Sequence, residues 1–236
     1  MKLPLTLTLP LVERGLWLAA LLLNIGACGS LLPKPTPQPA FFALQAAVSV
    51  ARPAPFAATP SPNPVAPART ASTVPVVVLV VQAAKAAPGF DSSRIIYTRQ
   101  PQRLEYYARS EWIDTPARML TPLIVAALDR SAAFGAVVIA PSLAGQPGAA
   151  AAPVWLEIQL LQLQQEFSTS PSQVRLSWRA QLTQGSNNRV LATRHFEHIE
   201  ASASEDAAGG VAASQIAAQV LLAELTRWCQ QVVLAR

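Results

Sequence analysis

Between Pro88 and Leu128 the chain reads PGFDSSRIIYTRQPQRLEYYARSEWIDTPARMLTPLIVAAL, and this stretch constrains the fold more than any other. Arg94 to Thr98 is a short apolar run. From Arg103 to Trp112 the sequence alternates, with Leu104, Tyr106, Ala108 and Trp112 on one phase and Arg103, Glu105, Tyr107, Arg109 and Glu111 on the other. A period of two is a half-buried strand with a charged outer face. It assigns Tyr107 to the surface beside Arg103 and Arg109. Trp112 has two readings: core, from its phase with Leu104 and Tyr106, or contact aromatic. Thr115-Pro116 has the form of a helix start, a hydroxyl cap followed by proline at the first helical position. Met119, Leu120, Leu123, Ile124, Ala127 and Leu128 then recur at helical spacing, which predicts a helix over Pro116–Ala133 with one buried stripe, stopped by Gly135. Pro122 lacks a backbone donor, so a kink or a restart with Thr121 as cap is expected there.

A strand that hands directly to an amphipathic helix is the nucleus of a two-layer domain, and the other segments supply strands to it. Phe41 to Val50 reads as a first strand. Val74 to Ala84 is almost continuously apolar and rich in β-branched residues, which favours a strand buried on both faces. Ala136–Ala140 is a short strand. Val154, Leu156, Ile158 and Leu160 alternate before the apolar phase moves to Leu161 and Leu163, the mark of a bulge. Val174, Leu176, Trp178, Ala180 and Leu182 form the clearest alternation, and Gly185-Ser186-Asn187-Asn188 turns this strand into Val190–Ile199. After a break at Gly209-Gly210 a final helix runs from Val211 to Val233, with Ala217, Leu221, Leu225, Trp228 and Val232 on one face. The expected fold class is α+β: a single domain, mostly antiparallel, with both helices packed on one face.

Residues 1–27 read as a processing segment rather than structure. Lys2 and Arg14 supply positive charge, and the apolar run Leu16–Ile25 is far shorter than the ~20 residues of a bilayer span. It ends in Ile25-Gly26-Ala27-Cys28, small residues before a cysteine, the form of a lipobox with cleavage between Ala27 and Cys28 and lipid on the Cys28 sulfur. An ordinary signal peptide with a chance cysteine, or an uncleaved anchor, is the alternative. Three acyl chains would anchor such a protein firmly, because one chain is marginal and two already hold. Residues 28–40 carry four prolines and read as a tether. The domain then covers 41–236, interrupted at about 51–72 by a segment with six prolines between Pro53 and Pro67. That segment reads as a disordered solvated loop, or alternatively as a PxxP ligand.

Of the 236 residues 51% are hydrophobic and 13% charged, enough for one domain with a real core. The net charge of +5 falls to 16 − 12 = +4 once Lys2, Glu13 and Arg14 are removed, and the cations form no run. A nucleic-acid partner, which needs a clustered basic face, is therefore excluded. Cys28 and Cys229 are not a disulfide framework. Cys229 lies on the apolar stripe of the last helix and reads as a small hydrophobe, with an intermolecular disulfide as the alternative. There is no GxxxxGK[ST] phosphate loop and no GxSxG elbow. His195 and His198, three apart on one strand, point to opposite faces and cannot share a metal. The expectation is a protein that is not an enzyme and carries no cofactor and no metal.

Pro88-Gly89-Phe90-Asp91, Arg94-Ile95-Ile96-Tyr97, Leu104-Glu105-Tyr106-Tyr107-Ala108, Trp112 and Pro116-Ala117-Arg118-Met119-Leu120 also occur in an unusual order. In these residues the chain resembles the auxiliary lipoproteins of ABC-type transport systems, those that accompany MCE-type lipid transporters of the Mla/Pqi kind in Gram-negative envelopes. The resemblance covers roughly 41–234. It departs from the pattern at Asp114-Thr115, where a small residue and an acid usually precede the proline, and at Pro122. It implies a core motif of Tyr97, Trp112 and Pro116, and a non-catalytic accessory role in transport of lipid or of organic solvents and toxins. The implied partners are a periplasmic MCE-domain protein and, through it, an ABC permease and ATPase. Gly29 stands where an inner-membrane lipoprotein commonly has aspartate, which implies anchoring at the periplasmic face of the outer membrane. Arg103, Tyr107 and Arg109 are the expected partner contacts, and a homo-oligomer is compatible with this picture. An outer-membrane assembly scaffold unconnected with lipid transport is the competing function, and a periplasmic hydrolase a more distant one.

Overall fold

The computed structural model describes residues 38–45, 77–140 and 153–235, which apart from Gln38 lie in one compact unit, Pro39–Arg236. The signal segment, Ala27-Cys28, the tether up to residue 37 and the proline-rich segment at 51–72 lie outside the described residues. In chain order the elements are β1 (Ala40–Phe42), β2 (Val78–Val81), β3 (Lys85–Ala86), β4 (Arg94–Gln100), β5 (Arg103–Trp112), α1 (Pro116–Arg130), β6 (Ala136–Ile139), β7 (Val154–Glu166), β8 (Gln173–Gln184), β9 (Arg189–Ala201) and α2 (Ala207–Leu234).

The sheet is built along β7. Its alternation puts Val154, Leu156, Ile158 and Leu160 inward with no exposed surface, and the expected bulge is present where pairing jumps from Leu160↔Trp178 to Gln162↔Ser177. One edge of β7 carries β8 antiparallel along its whole length, and β9 follows β8. The other edge takes three short parallel partners in succession: β2 at Leu79–Val81, β3 at Lys85–Ala86 and β4 at Tyr97–Thr98. β5 pairs antiparallel with β4 and carries β1 parallel at its outer edge, while β6 flanks β2. The long ladders are antiparallel and the short ones parallel, so the fold is α+β with a mixed sheet. Leu79, Val80 and Val81 are wholly buried, as a strand with neighbours on both edges requires.

Both helices cover one face. α1 packs on β3, β6 and β7, and α2 on β7, β8 and β9 and against α1. Leu120, Ile124 and Leu128 from α1 and Ala217, Leu221 and Leu225 from α2 meet Leu176, Trp178, Ala180 and Leu182 in a continuous core. Each leucine-sized side chain buried there contributes about 1.5–3 kcal/mol. Trp178, Phe196 and Trp228 stack in sequence at ring separations of 6.5 and 5.7 Å and tie β8, β9 and α2 together. α2 is long and apolar enough to cross a membrane, but half of that window is buried against the sheet, as in a core helix. Cys229 is fully buried among these apolar groups, and burial pushes its thiol up to about 12, so it is an uncharged hydrophobe.

Helix boundaries differ from expectation for specific reasons. The Thr115 hydroxyl makes no capping bond and is buried without a partner; Asp114 Oδ1 instead accepts the Thr115 N–H at 2.7 Å. Pro122 neither kinks α1 into two helices nor makes Thr121 a cap. The residue is exposed, so the carbonyl that its missing N–H leaves free faces water. Thr121 Oγ1 donates to Ala117 O at 3.2 Å and accepts the Ala84 N–H at 3.0 Å, joining α1 to the β2–β3 segment. The helix stops at Arg130, short of Gly135, with Ala132 taking the left-handed conformation at φ 51°. α2 begins at Ala207, and Gly209-Gly210, read from the sequence as a break, form part of its first turn.

Candidate functional site

The β4–β5 hairpin is where the sequence pattern and the structure part most instructively. Ile96 pairs with Tyr106 and Tyr97 with Glu105, but Arg94 pairs with Glu111. Two steps on β4 thus span five on β5 (96 − 94 against 111 − 106), and an odd excess of three residues inverts the phase. Leu104 and Tyr106 consequently face outward, each 40% exposed, and Ala108 is exposed as well. Tyr107 turns inward. This corrects the surface assignment of Tyr107: its ring lies 4.7 Å from that of Tyr97, and its hydroxyl donates to Gln165 Oε1 at 2.9 Å. Burial pushes its phenol up to about 12. Past the bulge, Trp112 points into the core and is 3% exposed, so its core reading holds while Leu104 and Tyr106, on the same sequence phase, do not share it. Arg103 and Arg109 are exposed as expected, Arg103 in a weak surface pair with Glu105 at 3.4 Å.

Below Tyr107 lies a buried polar node. Gln165, 2% exposed, accepts from Tyr107 and donates through Nε2 to Ser172 Oγ at 2.9 Å and Ser202 Oγ at 3.3 Å. One side chain thereby joins β5, β7 and the segments flanking β8 and β9. The node sets the inner face of the hairpin and leaves its outer face to make contacts. There Arg94 lies over the Tyr106 ring at 5.1 Å from the centroid. Toward the hairpin tip the same face opens into a groove of about 550 Å³ whose lining includes Phe90, Pro101, Leu104, Gln162, Gln164 and Glu166. Phe90 is brought there by a turn in which Gly89 has φ 90°, a conformation open to glycine. The tip, Pro101-Gln102, puts Gln102 at φ 68°, where glycine is usual.

At the far wall of the groove Arg175 Nε donates to Glu166 Oε1 at 2.8 Å, and the same guanidinium reaches Glu197 on β9. Burial alone would raise the Glu166 carboxyl; hydrogen bonds from Arg175, Gln164 and Gln173 outweigh it and hold the group below the usual carboxylate range. Glu166 is thus a fixed anion, not a proton donor. His195 and His198 occupy opposite faces of β9, as their spacing predicts, and His198 Nε2 lies 3.1 Å from Glu200 Oε2. Among the described residues no three of His, Cys, Asp and Glu converge to hold a metal. Pro116 is buried at the start of α1, and Tyr97 is half-buried against Tyr107 and Phe167. These two, with Trp112, act in packing. Cys28 and Ala27 lie outside the described residues.

Exposed aromatic and aliphatic side chains interleaved with arginines, around a shallow groove, have the chemistry of a contact surface. The chain belongs to the family described as the ABC-type transport auxiliary lipoprotein component, which matches residues 59–226. The fold is similar to the crystal structure of protein XCC0632 from Xanthomonas campestris, at 25% identity and a TM-score of 0.58 over 69% of this chain and 90% of that one. A second crystal structure, of an uncharacterized protein, shares the fold at 14% identity and a TM-score of 0.54, over 81% of this chain and 98% of that one. Among curated proteins none matches the chain. The family is that of an envelope-associated transport accessory.

Proposed function

We propose that the protein is a non-catalytic auxiliary component of an ABC-type lipid transport system, held at the periplasmic face of the outer membrane by lipid on Cys28. It docks a periplasmic MCE-domain partner and, through it, the permease and ATPase. The observation that carries the docking reading is the outer face of the β4–β5 hairpin, where Leu104 and Tyr106 remain 40% exposed on the part of β5 that β1 does not cover. Membership in a transport-auxiliary family supplies the class of partner. Aromatic and arginine side chains are the residues that most often carry interface energy. Tyr106, with Arg94 across it and Arg103 and Arg109 on the same strand, takes the place that the sequence pattern assigned to Tyr107.

Co-purification from detergent-solubilised envelopes tests this. Tyr106→Ala and Leu104→Ala are expected to reduce recovery of the MCE partner while the protein melts within a few degrees of the parent. Each truncation of a central contact costs about 1–2 kcal/mol of binding or more. Arg103→Ala and Arg109→Ala are expected to slow association and to remove its salt sensitivity, because rim cations act mainly through steering. Folded variants that retain the partner at parental levels would exclude this face as the dock. A parent protein that recovers no MCE partner at all would favour the competing function, an assembly scaffold unconnected with lipid transport.

The anchor is tested separately. Cys28→Ala is expected to accumulate as an unprocessed precursor that takes up no fatty-acid probe. Undiminished labelling of that variant would refute acylation at Cys28.

A further inference from the structure

Phe41 and Ile113 are the two most exposed large apolar side chains among the described residues, at 62% and 68%. They sit together at one edge of the sheet: β1 pairs with the end of β5, and the Ile113 N–H donates to Phe42 O at 2.7 Å. Packing does not require either of them outward. Phe42 and Trp112, their immediate neighbours, contribute to the core, and Leu44 follows inward at 6% exposed. Two carboxylates lie beside Phe41 and Ile113: Glu111, the register partner of Phe41, has Arg94 across from it on β4, and Asp114 pairs with Arg118 at 3.3 Å. The patch thus offers two apolar side chains flanked by two carboxylates, Glu111 and Asp114, each of which has an arginine opposite or beside it.

We infer that this β1 edge rests on the phospholipid surface that carries the anchor, with Phe41 and Ile113 entering the headgroup–acyl boundary. The inference rests on the proposed acylation of Cys28. Positions 28 and 41 are thirteen residues apart, and a fully extended chain spans at most about 3.5 Å per residue, so β1 cannot lie further than roughly 45 Å from the acylated sulfur. β9 forms the opposite edge of the sheet, five strand spacings away along β1-β5-β4-β7-β8-β9, which is about 24 Å at ~4.8 Å each. Both edges fall within that reach, and β1 is the edge joined directly to the tether. The only charge between positions 29 and 39 is Lys34, which suits an anionic headgroup layer. Leu104 at the far end of the proposed dock stands eight residues up β5 from Trp112, about 26 Å at ~3.3 Å each, so a membrane-resting edge leaves that end of the hairpin free.

Acylated full-length protein, reconstituted in phosphatidylethanolamine–phosphatidylglycerol vesicles, tests this with an environment-sensitive fluorophore on Ile113→Cys or, in a second preparation, on His195→Cys of β9. Cys229 is buried and stays unlabelled. The expected result is a blue-shifted emission at position 113 that is largely lost to doxyl-labelled lipid, with no loss at position 195. Protein that floats with the vesicles while position 113 escapes quenching overturns the inference and leaves the anchor standing. A blue shift at 113 without lipid quenching also overturns it, since the patch is then covered by protein, a second copy included. Protein that fails to float overturns the anchor and the inference with it.

Discussion

Trp112→Ala is expected to lower the stability of the domain by about 3–5 kcal/mol, the range for truncating a large aromatic in a core. Trp112 closes β5 where the strand, β1 and the start of α1 meet. Its backbone N–H donates to Ser93 O at 2.7 Å, and its side chain is 3% exposed. A domain of this size loses about 2–4 °C per kcal/mol, so a fall in melting temperature on the order of 10 °C is expected. Tyr106→Ala on the same strand removes a half-exposed ring and one cation–π contact, and is expected to cost no more than ~1 kcal/mol. Comparing the two melts tests the phase inversion directly. A strand with unbroken alternation would make both substitutions severe, and equal losses would therefore refute the bulge.

That bulge shows what a sequence pattern holds and what it leaves out. The β8 alternation was readable because Val174, Leu176, Trp178, Ala180 and Leu182 face one continuous helical layer, and the β7 bulge was readable because the apolar phase itself moves from Leu160 to Leu163. In β5 no such shift is visible. Tyr106-Tyr107 puts a similar residue on both phases, and the three-residue excess is visible only in the pairing with β4. Hydrophobicity therefore could not tell which tyrosine is buried. Gln165 has no sequence signature for a related reason. A glutamine in a run of glutamines carries no signal until Tyr107, Ser172 and Ser202, 58, 7 and 37 residues away in sequence, are seen around it. The parallel pairs of β2, β3 and β4 with β7 are non-local and were hidden for the same reason. The helix starts were only partly legible, because Thr115 has the form of a cap without making its bond, while Asp206 makes one.

Gly209→Ala reverses the sign that helix propensity assigns to it. Alanine in place of glycine inside a helix is worth about 1 kcal/mol of stability on propensity alone. At this position a Cβ would stand 2.2 Å from Ser204 O and 2.6 Å from Ser204 N, both backbone atoms that cannot rotate away. The Ser204–Asp206 segment folds tightly over the first turn of α2 to make the cap: Ser204 Oγ donates to Asp206 Oδ1 at 2.7 Å, and the Gly209 N–H donates to the same oxygen at 2.8 Å. Those two hydrogen bonds, Ser204 first, hold the Asp206 carboxyl below its ordinary range. Moving Ser204 aside to admit a methyl group breaks both. Loss of an N-cap costs about 0.5–2 kcal/mol, and forced repacking about 1–3 kcal/mol. Net of the propensity gain, the expected outcome is a destabilisation of about 0.5–4 kcal/mol, centred near 2, measured by denaturant unfolding with an unchanged m-value. Asp206→Ala supplies the control. It removes the cap without the clash and is expected to cost about 1 kcal/mol, less than Gly209→Ala. A Gly209→Ala protein as stable as the parent or more so would mean that the cap segment does not close over the helix as described.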